Sequence, residues 1–117
     1  GIGSAGLTEK MALDAGLDVI TGQSRVHDKY PMIDGVSHIY TKLVFERQSG
    51  RLLGGTVMRQ GEAVAGNIDF LSLAIQMKVT IDDLLVHQYA THPELAAKPS
   101  DNLFVLAAEE GAKARGL

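Results

Sequence analysis

The stretch from Ile39 to Met58 leaves a chain like this few options. Ile39, Thr41, Leu43 and Phe45 alternate with Lys42 and Glu46, the two-residue period of a strand that buries one face. Gln48-Ser49-Gly50 breaks the alternation with turn chemistry and Arg51 to Met58 resumes it, so residues 39–47 and 51–58 are expected to form an antiparallel hairpin. Inside its second arm Gly54-Gly55 is costly in backbone entropy, and such a pair usually marks a bulge or the close approach of another element. A tightly packed helix is the expectation here. A phosphate-cradling glycine pair is the sharper alternative, but no lysine or helix start follows in register to support it.

Residues 62–78 carry the strongest helix signal in the chain. Val64, Ile68, Leu71 and Ile75 recur at spacings of four, three and four, one face of an α-helix. Phe70, Leu73 and Met77 form a second apolar flank, so the helix needs cover from its own sheet and also from another helix or a partner subunit. At about 1.5 Å per residue it would be roughly 25 Å long, enough to cross a small sheet. The Met and aromatic positions are expected in the core rather than around a cofactor. Thr80-Ile81-Asp82-Asp83 then fits a capping box opening another short helix.

The remaining segments follow the same chemistry. Thr8 is a suitable N-cap for a helix through about Ala15, with Glu9 in its first turn and Gly16 at its C-cap. Leu17 to Val26 favours a strand with Leu17, Val19 and Thr21 on one face. Asp28 to His38, with Pro31, Asp34 and Gly35, reads as a surface excursion. His27 and His38 flank it; nothing in the sequence fixes their separation and no carboxylate is spaced to join them, so they read as solvated loop histidines rather than a metal pair. Leu85 to Ala90 is expected to be a last strand. A final helix starts near Pro99, with Ser100 or Asp101 as N-cap and Leu103, Leu106, Ala107 and Ala114 facing inward, and the tail beyond it is expected to fray. Gly1 to Gly6 spells G-x-G-x-x-G, but no strand precedes it and no acidic residue follows at the distance a dinucleotide site requires. Residues 1–5 therefore read as a truncation or cloning remnant.

These elements add up to an α+β domain over residues 1–117, an antiparallel sheet of about four strands with helices packed on one side. The 45% hydrophobic and 21% charged composition supports one folded core and argues against disorder. A net charge of −3 with dispersed lysines and arginines offers no basic stripe for nucleic acid. No apolar run approaches the roughly 20 residues that span a bilayer, and the amino terminus lacks a secretion-signal pattern, so no membrane partner and a cytoplasmic location are expected. With no cysteine, the chain has neither a thiolate nucleophile nor a thiolate metal site.

One residue pair still points to chemistry. Pro93 restricts the backbone of His92 to extended conformations, which presents an imidazole at the edge of an element. Histidine, with an unperturbed pKa of about 6.5, can give or take a proton near neutrality. A histidine held in a turn is the plainer reading of the same pair.

A resemblance bears on that choice. Gly6-Leu7-Thr8-Glu9-Lys10 with Ala12 and Ala15-Gly16-Leu17-Asp18-Val19 forms a first block. Lys42-Leu43-Val44-Phe45 with Gly50-Arg51-Leu52-Leu53-Gly54-Gly55 forms a second. Ala74-Ile75-Gln76-Met77 with Thr80-Ile81-Asp82-Asp83-Leu84, and finally His92-Pro93, complete the order. Together they resemble the carboxy-terminal dimerisation domain of the flavin-dependent pyridine nucleotide-disulfide oxidoreductases, the family of dihydrolipoamide dehydrogenase, glutathione reductase, mercuric reductase and NADH oxidase-like enzymes. The resemblance implies the same α+β layout, a homodimer, and parent FAD and NAD domains with FAD and NAD(P)H as cofactors serving cell redox homeostasis. It also implies that His92 and Pro93 reach the flavin side of the partner subunit's site, where His92 acts as acid/base toward a redox thiol. Those relatives place a glutamate five positions after the histidine to orient it. Here that position is Ala97, with Glu94 and Asp101 as the nearby carboxylates.

Two functions from different classes follow. One is the homodimerisation domain of an FAD- and NAD(P)H-dependent disulfide oxidoreductase, which neither binds the cofactors nor turns over alone, since the flavin carries such chemistry. The other is a freestanding α+β interaction module whose histidine only shapes a loop.

Overall fold

In the computed structural model residues 1–27, 38–59, 64–86 and 102–116 are described. Four strands form one antiparallel sheet: β1 (Ile2–Gly6), β2 (Val19–His27), β3 (His38–Glu46) and β4 (Leu52–Arg59), in the order β1-β4-β3-β2. The helices are α1 (Glu9–Asp14), α2 (Ala65–Gln76), α3 (Ile81–Val86) and α4 (Leu103–Ala114). This is the α+β architecture that the alternation and helical periods predict.

The hairpin is β3 and β4. Gly50 at φ 73° completes its turn, and the Ser49 hydroxyl donates to Glu46 Oε1 at 2.6 Å while accepting from the Arg51 amide at 3.1 Å. Ile39, Thr41, Leu43 and Phe45 are all buried, as their spacing requires. The register slips between Val44 and Phe45, so Gly54 pairs with Val44 while Leu52 pairs with Phe45. Both glycines of the pair are close-approach positions rather than a phosphate cradle. A Cβ on Gly55 would meet Leu71 of α2 at 3.0 Å, and one on Gly54 would meet the Leu7 carbonyl oxygen at 1.8 Å.

Residues 2–6, to which the sequence assigned no element, are part of the sheet. Ile2–Gly6 is the edge strand β1, paired with β4 from Ile2 opposite Met58 to Gly6 opposite Gly54. Its small residues hid it from an apolar pattern, yet they are what its place demands: a Cβ on Gly3 would stand 2.7 Å from Ile68 of α2. Strand β2 keeps Val19 and Thr21 on one face, as expected, and buries the other. Ile20, Gly22 and Val26 are buried, whereas Val19 and Thr21 sit half-buried on the other face and Leu17 lies outside the strand. The inner face of β2 receives α4, so it carries small residues where an apolar pattern would look for large ones.

The core joins this inner face to the helices through Leu43, Phe45, Leu52, Leu71, Ile81 and Leu84. Ala12 and Val44 are buried apart from that cluster, and Lys42 Nζ donates to Glu9 Oε1 at 2.8 Å. The short α1 therefore lies against the opposite face of the sheet at one end. Thr8 caps it, accepting from the Met11 amide at 3.1 Å, and Gly16 follows it at φ 80°.

Helix α4 begins on Asn102, not on Ser100 or Asp101. The Asn102 Oδ1 accepts from both the Phe104 and Val105 amides at 3.0 Å, satisfying two orphan donors. Phe104, Ala107 and Ala108 are its buried side chains, Leu103 and Leu106 pack at the margin, and Ala114 is exposed, contrary to expectation. The tail is also held rather than frayed as far as Arg115, which donates to the Gln48 carbonyl at 3.1 Å.

Candidate functional site

The pair His92-Pro93, with Glu94, Ala97 and Asp101, lies outside the described residues. His27 and His38 are strand residues rather than loop residues, placed opposite each other by the β2–β3 register, which is the separation the sequence left open. Among the described residues, no group of three or more His, Cys, Asp or Glu side chains stands where it could hold a metal ion. Among them too, no helix is long and apolar enough to cross a membrane.

What the described residues do form is a surface built by α2 and α3. Leu71 and Ala74 turn one face of α2 into the core, with Val64, Ile68 and Ile75 alongside. The second flank divides. Phe70 stacks on Phe104 of α4 with ring centroids 4.8 Å apart, inside the attractive range for aromatic pairs. Leu73 and Met77 remain 59% and 67% exposed, so Met77 is not the core residue that its spacing suggested.

The end of α2 shapes this surface. Lys78 adopts a left-handed φ of 58°, and the Val79 amide donates back to the Ala74 carbonyl at 3.0 Å. That turn brings Val79 toward the sheet, where its carbonyl accepts from the Leu52 amide at 2.8 Å and the Ile81 amide donates to Gly50 at 2.9 Å. Helix α3 then starts on the predicted capping box. The Thr80 amide donates to Asp83 Oδ2 at 3.0 Å, and the Asp83 amide donates to Thr80 Oγ1 at 3.3 Å. Because the box commits Ile81–Val86 to a helix, Leu85 and Val86 are not the beginning of a strand. Their β-forming tendency is outweighed by a satisfied helix start and by the burial of Ile81 and Leu84 three residues apart.

Between the two helices lies a groove of about 240 Å³. Phe70, Leu73, Ala74 and Met77 line it from α2, Val79 from the connection, and Asp83 and Leu84 from α3. Two exposed apolar side chains beside an apolar hollow can serve as knob and socket at once. A surface that carries both can meet a copy of itself about a twofold axis.

The fold and this surface define an α+β domain with one uncovered apolar helix flank. It belongs to the pyridine nucleotide-disulphide oxidoreductase dimerisation-domain family, whose model matches residues 1–102. It is similar to the NADH oxidase of Lactococcus lactis subsp. cremoris (strain MG1363), 35% identical over 82 residues that make up 69% of this chain and 18% of that protein. It is also similar to the dihydrolipoyl dehydrogenase of Chlorobaculum parvum, 30% identical over 115 residues, 94% of this chain and 23% of that protein. Among solved structures, a NAD-dependent persulfide reductase from A. fulgidus superposes with a TM-score of 0.86 at 32% identity, covering 98% of this chain and 21% of that one. The water-forming NADH oxidase from Lactobacillus brevis superposes with a TM-score of 0.88 at 26% identity, over 98% of this chain and 25% of that one. The chain thus spans about a fifth of the length of the curated relatives it matches.

Proposed function

We propose that this chain is the homodimerisation domain of an FAD- and NAD(P)H-dependent disulfide oxidoreductase, dihydrolipoamide dehydrogenase-like, and that two copies associate through α2 and α3. The observation that carries the reading is the pairing of exposed Leu73 and Met77 with the groove beside them, on a chain of the dimerisation-domain family. Covering each of these side chains is worth about 1–2 kcal/mol, and an isologous contact counts every residue twice. In this reading His92 and Pro93 serve the flavin side of the partner subunit's site, with His92 as acid/base toward a redox thiol. Ala97 in place of the orienting glutamate leaves Glu94 or Asp101 to hold the imidazole. The domain itself does no turnover. Flavin and nicotinamide, held by the parent's other domains, supply the electron transfer, and the chain's own contribution is position and one proton-carrying group.

Sedimentation equilibrium at micromolar concentration tests the association. A dimer is expected for the chain, and a monomer for Met77→Glu, which sets a charge against an apolar surface. A monomer of 12.5 kDa for the unmodified chain at that concentration would refute the proposed association.

A further inference from the structure

The residues that line the α2–α3 groove have no hydrogen-bond donor to spare. Their side chains are apolar except for Asp83, whose carboxylate only accepts and takes the Thr80 amide at 3.0 Å. The main-chain amides at this end of α2 are committed as well. Met77 donates to the Leu73 carbonyl at 2.9 Å, Lys78 to that of Ile75 at 3.1 Å and Val79 to that of Ala74 at 3.0 Å. On α3 the Leu84 amide donates to the Thr80 carbonyl at 3.1 Å. A group that can only accept a hydrogen bond therefore finds no partner among the residues lining this surface.

One atom at the groove can become such a group. The chain has no cysteine, so its sulfur atoms are the thioethers of four methionines. Met77 lines the groove and is 67% exposed in the subunit, against 52% for Met11 and 47% for Met58, which lie elsewhere. Peroxide oxidises a thioether to a sulfoxide at a rate that follows exposure, and the product is polar where the thioether was apolar.

We propose that association through α2 and α3 is under redox control at Met77: a hydroperoxide oxidises its thioether in the separated subunit, the sulfoxide opposes the dimer, and reduction restores it. The proposal rests on the dimerisation reading and adds its regulation. The sulfur lone pair attacks one peroxide oxygen, the S–O bond forms as the O–O bond breaks, and hydrogen peroxide leaves as water. Sulfur gives up two electrons and the peroxide takes them. In the return step two thiols of a sulfoxide reductase become a disulfide and the oxygen departs as water. Because the second copy covers Met77, the dimer shields the sulfur and the separated subunit is the form that reacts. Once oxidised, the sulfoxide oxygen meets apolar side chains and the Asp83 carboxylate, so re-association leaves it unpaired. Symmetry sets this penalty at two places in each dimer. With about tenfold for each unpaired acceptor, oxidation of both copies weakens the dimer about 100-fold.

Sedimentation equilibrium before and after hydrogen peroxide tests this on the chain itself, with mass spectrometry locating each sulfoxide. The dimer dissociation constant is expected to rise about 100-fold on oxidation of Met77 and to return after treatment with sulfoxide reductases for both epimers. Met77→Leu keeps an apolar side chain of similar volume. Each protein is compared with itself before and after peroxide, so any effect of the substitution on association cancels. The constant of Met77→Leu is expected to stay where it was although its other methionines are oxidised. In the unmodified chain, Met77 should be oxidised about tenfold more slowly well above the dissociation constant than well below it, because the dimer withholds the reactive form. A dimer that persists with Met77 fully oxidised, equal weakening of Met77→Leu, or oxidation of Met77 at a rate independent of protein concentration overturns the proposal. An untreated chain that is monomeric refutes the dimerisation reading itself, and the regulation falls with it.

Discussion

Gly22 of β2 lies directly beneath the backbone of Ala107 in α4: a Cβ placed on Gly22 would stand 1.9 Å from the Ala107 carbonyl oxygen and 2.8 Å from the Gly111 amide nitrogen. Backbone lies against backbone here, with Ala107 and Ala108 fully buried on the helix side. No side-chain rotation can relieve such a clash, so α4 must lift off the sheet. Gly22→Ala is therefore expected to destabilise the fold by about 3 kcal/mol, the upper part of the range for overpacking. The shift in urea midpoint followed by circular dichroism measures it.

Thr41 carries the opposite opportunity. It is 3% exposed, and its hydroxyl has no hydrogen-bond partner among the described residues. Its register partner Ser24 is already engaged, donating to the Leu103 carbonyl at 2.8 Å. Thr41→Val keeps the shape and removes the unpaired group, and it should stabilise by about 1 kcal/mol. A lowered urea midpoint for this variant would show that the hydroxyl is satisfied in solution.

At Lys78 the backbone at φ 58° is left-handed, where an L side chain costs roughly 1 kcal/mol and glycine does not. Lys78→Gly is expected to raise stability by about 0.5–1 kcal/mol without changing association. Thermal unfolding and sedimentation on the same samples check both halves of the statement.

His92 is tested in the parent enzyme. As a general acid/base across the subunit boundary, His92→Ala should reduce turnover by about 10²- to 10⁴-fold, nearer the lower figure because Ala97 stands where an orienting glutamate is expected. Flavin content and dimerisation should be unchanged, and the isolated chain should purify colourless. Full activity of His92→Ala toward the native electron acceptor would make the histidine structural.

Much of this architecture is legible in residues that act locally. The Ile39–Phe45 alternation, the Ser49-Gly50 turn, the Thr8 cap and the reciprocal Thr80–Asp83 box each satisfy a period or a hydrogen-bond need within a few positions, so sequence alone determined them. Gly55 announced a close neighbour, and α2 supplied it. Tertiary structure decided what depends on the partner element. A strand with Gly3 and Ala5 on its inner face became β1 because α2 leaves room there only for small residues, and β2 turned Gly22 inward because α4 needed the space. Leu73 and Met77 share the apolar character of Phe70, and only the placement of Phe104 determined which of the three was covered within the chain.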